Sequence, residues 1–253
     1  MQITILGCGP SGGVPLVTGD WGNCDPKNPK NLRSRSSVHV SCEDNLSLLI
    51  DSSVDIRSQL LREDIKYLDA VLYTHAHADH CFGIDDLRQI AKKNKRAIPA
   101  YSDEETLQEI SRCFPYAFST IDPTYPHYLE AHAISGDFEV CGVPIIAFRQ
   151  MHGPKSWSMG FRIGKFAYST DLSGLPQESM DKLSGLDVWV LDCLQLKSHP
   201  THLGLQEALE LVKTIKPKRT ILTHMGGTID YEEVSAKLPS SVELAYDGIK
   251  ISL

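Results

Sequence analysis

The sequence lacks three features that would assign it to a membrane, to the secretory route or to a disulfide scaffold. No apolar run approaches the ~18 residues of a membrane span, and no basic segment followed by an apolar stretch opens the chain. The seven cysteines are scattered singly, without a C-x-x-C pair. Free thiols in a reducing compartment explain this pattern best, so we expect a cytoplasmic protein with no membrane partner.

An excess of positive charge is also missing. Lys and Arg number 25 against 32 Asp and Glu, which gives a net charge of −7. Proteins that hold long RNA or DNA usually present a basic face, so we expect no long nucleic acid as a partner. A small anionic ligand held by local groups remains compatible with this charge.

The pattern along the chain predicts one domain over residues 1–253, because no linker divides it and no short repeat recurs. Helical stripes occur near 54–63 and 84–94, after Ser102 (interpreted with Glu105 as a capping box) and from Leu205 to Lys216. The class is therefore α/β or α+β with mixed sheets. Short apolar runs predict strands at 2–6, 46–51, 70–74, 145–150, 166–170, 187–192, 219–223 and 242–246.

Four side chains that commonly bind metals lie within six residues, just after the apolar run 70–73. They are His75, His77, Asp79 and His80. Imidazole and carboxylate together suit zinc, manganese or iron rather than calcium. A single histidine is more often structural, but four such residues at this spacing favour a metal site, and a turn can divide them between two ions.

Three further candidates follow other predicted strands. His152 follows 145–150, Asp171 follows 166–170, and His224 follows 219–223. Ligands in α/β proteins gather at the carboxyl ends of strands. Each residue alone would more often be a cap or a surface residue; together with the cluster they predict a two-metal site.

These seven residues, in this order, resemble the ligand set of the metallo-β-lactamase fold hydrolases. The resemblance implies an αββα four-layer sandwich with the metals at one edge. It also implies that His75, His77 and His152 bind one ion, that Asp79, His80 and His224 bind the other, and that Asp171 bridges them. Zinc β-lactamases commonly carry cysteine at the bridging position, which disfavours antibiotic hydrolysis. The ligands suit both zinc and manganese, so two divalent ions of either kind are expected.

Residues 7–37 form the most irregular stretch, and Gly7 to Gly12 match G-x-G-x-x-G. Gly13 and Pro15 argue against the helix that a dinucleotide fold needs there. We interpret the segment as a loop beside the metals, with Ser11 and Gly12 offering backbone N–H groups to an anion; a packing turn is an equal alternative. Candidate substrate-binding cations are Arg33 and Arg35, for which solvated surface positions are the commoner outcome.

The loop, together with Trp21-Gly22, Asp192-Cys193 and His202, is similar to the phosphoribosyl cyclic phosphate phosphodiesterases of the carbon–phosphorus lyase pathway, relatives of ribonuclease Z. The likeness implies that His202 protonates the leaving oxygen; a surface position at a helix start is the alternative. Those enzymes hold an additional zinc through a cysteine cluster. Here Cys24 stands alone and no second histidine follows His224, so no third metal is expected.

The predicted function is hydrolysis of a small phosphodiester, cyclic ribose or nucleotide, through a metal-bridging hydroxide. Asp79 is counted with His202 among the catalytic residues. Alternatives are a ribonuclease Z-like RNA phosphodiesterase, a thioester hydrolase of the glyoxalase II kind, and a non-hydrolytic binding protein of cofactor biosynthesis. Homodimer formation is left open.

Overall fold

The computed structural model describes residues 1–42 and 46–253. The strands in chain order are β1 (Gln2–Gly7), β2 (Ser37–Ser41), β3 (Ser47–Ile50), β4 (Ala70–Leu72), β5 (Ile98–Ser102), β6 (Leu129–Ala133), β7 (Phe138–Val140), β8 (Val143–Met151), β9 (Trp157–Ile163), β10 (Phe166–Ser169), β11 (Val188–Asp192), β12 (Arg219–Thr223), β13 (Val242–Leu244) and β14 (Lys250–Ser252). The helices are α1 (Ile56–Arg62), α2 (Ala78–Cys81), α3 (Leu87–Asn94), α4 (Glu104–Cys113), α5 (Pro115–Phe118), α6 (Gln177–Asp181), α7 (Leu205–Ile215) and α8 (Tyr231–Ser235), with 3₁₀ turns at Pro29–Asn31 and Ile84–Asp86.

The strands form two seven-stranded mixed sheets. The first has the order β14-β1-β2-β3-β4-β5-β6, and the second has the order β13-β12-β11-β10-β9-β8-β7. Strands β3 to β6 run parallel in the first sheet, as do β10 to β13 in the second. Loops at the carboxyl ends of parallel strands gather at one edge, which is where α/β sheets carry their ligands.

Alternation along the strands explains how the two sheets pack. Ile3 and Ile5 lie in the cluster between the sheets, whereas Leu6 belongs to the cluster beneath the helices of the first sheet. In the same way Leu48 faces inward and Leu49 faces the helices. Successive strand residues point to opposite faces, so inner strands such as β1 and β3 bury both of their faces. The predicted α/β class is confirmed, and the two packed sheets agree with the sandwich that the resemblance implies.

Helices cover both outer faces. Ile56 of α1, Leu87 of α3 and Ile110 of α4 pack in the cluster outside the first sheet. Helix α6 contacts β8 and α8 contacts β13 in the second sheet. Within residues 1–42 and 46–253, no helix is long and apolar enough to cross a membrane.

The predicted capping box at Ser102 is wrong in its position. Ser102 ends strand β5, and its hydroxyl donates to the carbonyl of Tyr73 at 2.7 Å. Asp103 is the N-cap of α4, where its carboxylate accepts the Thr106 N–H at 2.8 Å. A serine needed by the sheet cannot also cap the helix, and the adjacent aspartate fills that role.

His39 of β2 is a buried histidine remote in sequence from the metal ligands. It is 8% exposed, and its Nε2 lies 2.8 Å from Ser47 Oγ. Because the Ser47 hydroxyl donates to the Tyr67 carbonyl at 2.7 Å, the ring must donate through Nε2–H. Burial, opposed only by nearby Glu63, lowers the pKa of His39 to about 4.

Acid should therefore destabilise the fold through His39. The unfolded chain takes up its proton near pH 6.5, while the folded chain resists until about pH 4. The contribution is thus complete above pH 6.5 and is lost as the pH falls towards 4. Between pH 7 and pH 4.5 we expect the unfolding free energy to fall by about 2 kcal/mol more in the wild type than in His39→Gln. Urea titrations of both proteins measure this difference, and equal losses would refute it.

Candidate metal centre

The seven predicted ligand residues come together at the carboxyl edge of both sheets. His75 follows β4, and His77, Asp79 and His80 lie at the start of α2 and within it. The other three reach the same edge from the second sheet, where they follow β8, β10 and β12: they are His152, Asp171 and His224. Separate strand ends thus bring these side chains together, and that the seven residues bind metal stays a prediction.

Strained backbone marks the same edge. Asp171 and His224 have φ values of 54° and 59°, and Asp51, which follows β3, has a φ of 62°. Non-glycine residues seldom adopt this left-handed region, and such strain collects at functional sites. Three of the strand ends that form this edge thus carry unfavourable backbone angles.

The ligand-type atoms divide into groups that share residues. One group joins His75, His77, His152 and Asp171, and another joins Asp79, His80 and His224. In each group the ligand atoms lie within 4.8 Å of one another. A third group adds Asp192 and His202 to Asp171 and His224.

Asp171 faces both halves of the centre with different oxygens. Its Oδ2 lies 3.7 Å from His75 Nε2 and 3.9 Å from His152 Nε2. Its Oδ1 lies 3.1 Å from His80 Nε2 and 3.3 Å from His224 Nε2. A carboxylate placed in this way can serve two ions at once.

The donor set fits divalent metal ions. The Nε2 atoms of His75, His80 and His224 are buried and have no hydrogen-bond partner among the described residues. Burying a polar atom without a hydrogen-bond partner costs free energy, so a metal ion bound by these three nitrogens would satisfy them. The ligand atoms around a tetrahedral zinc ion are ~3.3 Å apart at ordinary zinc–nitrogen bond lengths. The Nε2 atoms of His80 and His224 lie 3.1 and 3.3 Å from Asp171 Oδ1, which is close to that value.

Charge in the centre favours cations as well. Burial alone would raise the pKa of Asp171, but His224 and His80 hold it well below its usual range. Burial opposes protonation of His80, yet Asp171 and Asp51 raise the pKa of that ring well above its usual value. Carboxylates that stabilise a protonated imidazole also stabilise a metal ion bound to it, and binding of the ion releases the proton.

A second set of residues orients the ligands. Asp51 Oδ2 lies 2.7 Å from His80 Nδ1, while Asp51 also accepts the N–H and the hydroxyl of Thr74, each at 2.8 Å. The Thr201 carbonyl lies 3.0 Å from His152 Nδ1. Such partners fix which ring nitrogen faces the metal.

Asp192 occupies the equivalent place between two rings. Its oxygens lie 3.4 Å from His202 Nδ1 and 3.3 Å from His224 Nδ1, and the residue is fully buried. It also accepts the Leu203 N–H at 3.1 Å. The roles of Asp51 and Asp192 were not predicted from the sequence. Both residues end predicted strands, the position that identified the other three strand-end candidates.

His202 lies at the edge of the centre. Its side chain is 11% exposed, its Nε2 is 3.8 Å from Asp171 Oδ2, and its ring stacks on His224 with centroids 4.9 Å apart. The exposed ring of His77 lies 4.4 Å from His75 and leaves the centre open to solvent on that side.

The structure contradicts the proposed substrate role of Arg33. The residue is 2% exposed, and its guanidinium donates to the carbonyls of Gly226 at 3.1 Å and Ile229 at 2.6 Å. A guanidinium enclosed by carbonyl groups stabilises the contact between the 7–37 loop and the segment after His224, and it cannot orient a phosphate. The run of arginines in the sequence gave no sign of this burial, because the acceptors lie almost 200 residues away.

The remaining loop candidates are placed as follows. Arg35 pairs with Asp55 at 3.2 Å, and its Nε donates to the Ser11 carbonyl at 3.1 Å. Hydrogen bonds of the described residues use the N–H groups of Gly9 and Gly13, but not those of Ser11 or Gly12. Anion binding by Ser11, Gly12 and Arg35 stays a prediction.

The loop lies against the segment that follows His224. The Met225 N–H donates to the Cys8 carbonyl at 2.8 Å, and Cys24 Sγ lies 3.3 Å from the Ile229 carbonyl. Gly22, with a φ of 59°, passes so close to Gly227 that a Cβ would stand 2.6 Å from its carbonyl oxygen. Among the described residues, no ligand group includes Cys24. Protein contacts thus join these two segments. That the chain binds no third metal, because it lacks the cysteine cluster and the second histidine of the phosphoribosyl enzymes, stays a prediction.

Comparison with known proteins agrees with this architecture. A family model described as "Beta-lactamase superfamily domain" matches residues 47–225. An octanoyltransferase of Porphyromonas gingivalis is 30% identical over 254 residues, which are 99% of this chain but 51% of that protein. The chain therefore spans about half the length of that relative. Coenzyme PQQ synthesis protein B of Methylococcus capsulatus is 25% identical over the full length of both chains.

Solved structures are similar over the whole chain. A diphosphatase from the PhnP family matches with a TM-score of 0.91 and 36% identity, over 99% of this chain and 97% of that one. Zinc-bound PqqB from Methylobacterium extorquens gives 0.78 at 20% identity, with full coverage of both chains. The short form of human tRNase Z gives 0.73 at 20% identity, over 100% and 99%. The last two show the fold alone. The family model over residues 47–225 confirms the expected family: the chain belongs to the beta-lactamase superfamily.

Proposed function

We propose that this protein is a binuclear metal-dependent phosphodiesterase that hydrolyses a small phosphodiester of ribose or a nucleotide. The observation that carries the proposal is Asp171, whose two carboxylate oxygens face two separate groups of histidines. Two cations held by one shared carboxylate can act on both the attacking and the departing oxygen of a phosphodiester.

Each ion would have its own ligands. His75, His77 and His152 would hold one ion, Asp79, His80 and His224 would hold the other, and Asp171 would belong to both. Zinc or manganese ions bound there would activate water near neutral pH and offset the charge of the phosphate. Asp79 thus contributes to catalysis as a ligand, and its carboxylate lies 3.3 Å from His80 Nε2.

His202 would donate a proton to the departing oxygen. The Asp192 carboxylate lies 3.4 Å from Nδ1 of the ring, and Nε2 on the opposite side faces Asp171. A positioned imidazole suits this task because histidine is the side chain that most often transfers a proton in general acid catalysis. An alkoxide leaving group needs that proton far more than a nitrophenolate does.

Similarity to the PhnP-family diphosphatase supports phosphorus chemistry, because that relative shares 36% of its residues over nearly the whole chain. The acidic net charge of −7 favours a small substrate over a long RNA, which ranks a ribonuclease Z-like activity lower. A full set of ligand residues counts against a non-hydrolytic binding protein.

A second candidate is hydrolysis of a thioester. The octanoyltransferase relative carries an acyl-transfer name and matches 99% of this chain, although it is about twice as long. Activated water can attack a thioester carbonyl as well as phosphorus, so the centre alone does not exclude this chemistry.

One set of assays separates these functions. The protein loaded with zinc or manganese is given bis(4-nitrophenyl) phosphate, a 2′,3′-cyclic nucleotide, a precursor tRNA and an octanoyl thioester. We expect turnover of the two small diesters, and loss of that turnover after chelation. Turnover of the thioester alone, of the tRNA alone or of none of the four would overturn the proposal.

A further inference from the structure

A short loop after β11 carries His202 and also a second histidine, His199. The loop of residues 195–204 is closed at its base, where the Leu205 N–H donates to the Gln195 carbonyl at 3.0 Å. At Gly204 an added Cβ would stand 2.4 Å from the Lys197 carbonyl oxygen. Only glycine allows the two arms of the loop to approach so closely, which keeps the loop compact.

Glu207, in the first turn of α7, connects two parts of the loop by hydrogen bonds. Its carboxylate accepts the Gly204 N–H at 2.6 Å and the hydroxyl of Ser198, the residue before His199. Charge-assisted hydrogen bonds of this kind are among the stronger ones in proteins. The loop therefore presents its histidines from a fixed backbone.

Thr201 connects His199 to the metal centre. Its carbonyl lies 3.0 Å from Nδ1 of the metal-ligand candidate His152. Its N–H donates to His199 Nδ1 at 3.3 Å, and its hydroxyl lies 3.2 Å from the same nitrogen. One residue thus sets the position of both rings.

The Thr201 contact also fixes which nitrogen of His199 carries the proton. A backbone N–H can only donate, so Nδ1 must accept with its lone pair. The proton of the neutral ring then sits on Nε2. No hydrogen bond among the described residues uses that Nε2–H, and the side chain is half-buried. His199 therefore offers a preformed donor.

The neighbouring ring of His202 shows where the Nε2–H donor of His199 lies. The ring centroids of His199 and His202 are 5.4 Å apart, and ring contacts of the described residues connect His199 with His202 alone. His202 Nε2 is in turn 3.8 Å from Asp171 Oδ2. His199 thus adjoins the ring that faces the departing oxygen and touches no other ring of the centre.

We propose that His199 is a specificity-determining residue whose Nε2–H donates to an oxygen of the leaving alcohol, such as a ribose hydroxyl or a phosphate attached to it. This inference rests on the proposed function, because it takes the leaving group to lie at His202. An alcohol that carries a hydrogen-bond acceptor is bound by this contact, and an aryl leaving group that lacks a nearby acceptor is not.

The test compares wild type, His199→Ala, His199→Gln and, as a control, His127→Ala, which removes an exposed histidine from the distant segment 119–128. Each metal-loaded protein is assayed with 2′,3′-cyclic AMP and with bis(4-nitrophenyl) phosphate. We expect His199→Ala to lower kcat/KM about 10-fold on the cyclic nucleotide, chiefly through KM, as for one lost hydrogen bond. The aryl diester should change less than about twofold. The glutamine amide should restore part of the loss.

A binding measurement separates this proposal from the proposed function. Calorimetry with adenosine 3′-monophosphate and each metal-loaded protein should show an about 10-fold weaker Kd for His199→Ala, a smaller change for His199→Gln and none for His127→Ala. If no substrate turns over but Kd changes in this way, the proposed function fails and the His199 contact stands. Equal losses on both diesters, or an unchanged Kd and an unchanged ratio of the two activities, would overturn the role of His199.

Discussion

Replacing Asp171 with alanine should lower turnover of a phosphodiester by about 1,000-fold or more, which corresponds to about 4 kcal/mol of transition-state stabilisation. The reason is that its two oxygens face His75 and His152 on one side and His80 and His224 on the other. In the proposed centre, removal of this carboxylate would take a ligand from both ions at once. Steady-state kinetics with bis(4-nitrophenyl) phosphate, with metal content measured in parallel, checks the result.

Two further variants make the result specific. Asp171→Asn retains an oxygen for the Thr170 hydroxyl, which now donates to Oδ1 at 2.9 Å, but lacks the charge that attracts two cations. Asp187→Ala removes a surface carboxylate that pairs with Lys165 and Lys218. We expect a severe loss for asparagine and no change for Asp187→Ala. Activity of Asp171→Asn within tenfold of wild type would show that the carboxylate is not shared by two ions.

Replacing His202 with alanine should have an effect that depends on the leaving group. On a diester with a poor leaving group, such as a ribose hydroxyl, kcat should fall by about 100-fold or more, because general acid catalysis is lost. On bis(4-nitrophenyl) phosphate the loss should be several-fold only, since nitrophenolate departs without a proton. The measurement is kcat for both substrates with both proteins.

Measuring the metal content of His202→Ala shows whether its loss of activity comes from the lost proton donor or from lost metal ions. The residue stands in a group with Asp171, Asp192 and His224, so its removal could disturb the ions. We expect the metal content of His202→Ala to equal that of the wild type. Equal losses of kcat on the two substrates would rule out the role as a proton donor.

The positions that the sequence predicted best are the ends of apolar strands. All eight predicted strands exist, and the three ligand candidates found by this criterion meet the H-x-H-x-D-H cluster. The criterion works because parallel strands bring their carboxyl ends to one edge whatever their separation along the chain. Applied to every strand, it would also have found Asp51 and Asp192.

Other elements gave no sufficient signal. Strand β6 alternates weakly, with Glu130 exposed and His132 half-buried, and β14 is only three residues long. Short edge strands are stabilised by their neighbours in the sheet, so local composition does not reveal them. The predicted substrate role of Arg33 was wrong because the carbonyl groups that surround its guanidinium, on residues 225–229, come from a distant part of the chain.

His199 and Thr201 represent the level of detail that sequence could not supply. A histidine two residues before a threonine indicates nothing about its tautomer. The hydrogen bond from the Thr201 N–H to Nδ1 settles that question, and the contact between Thr201 and His152 relates the loop to the metals. Both contacts depend on the closure of the 195–204 loop.

Whether Asp171 serves two metal ions in one phosphodiesterase centre can be measured by titrating the metal-free protein with zinc or manganese while metal content and turnover of bis(4-nitrophenyl) phosphate are followed together. We expect activity to reach its maximum at about two ions per chain, and we expect Asp171→Ala to bind fewer ions without recovering activity. Full activity at one ion per chain, or activity that persists after complete chelation, would contradict this expectation.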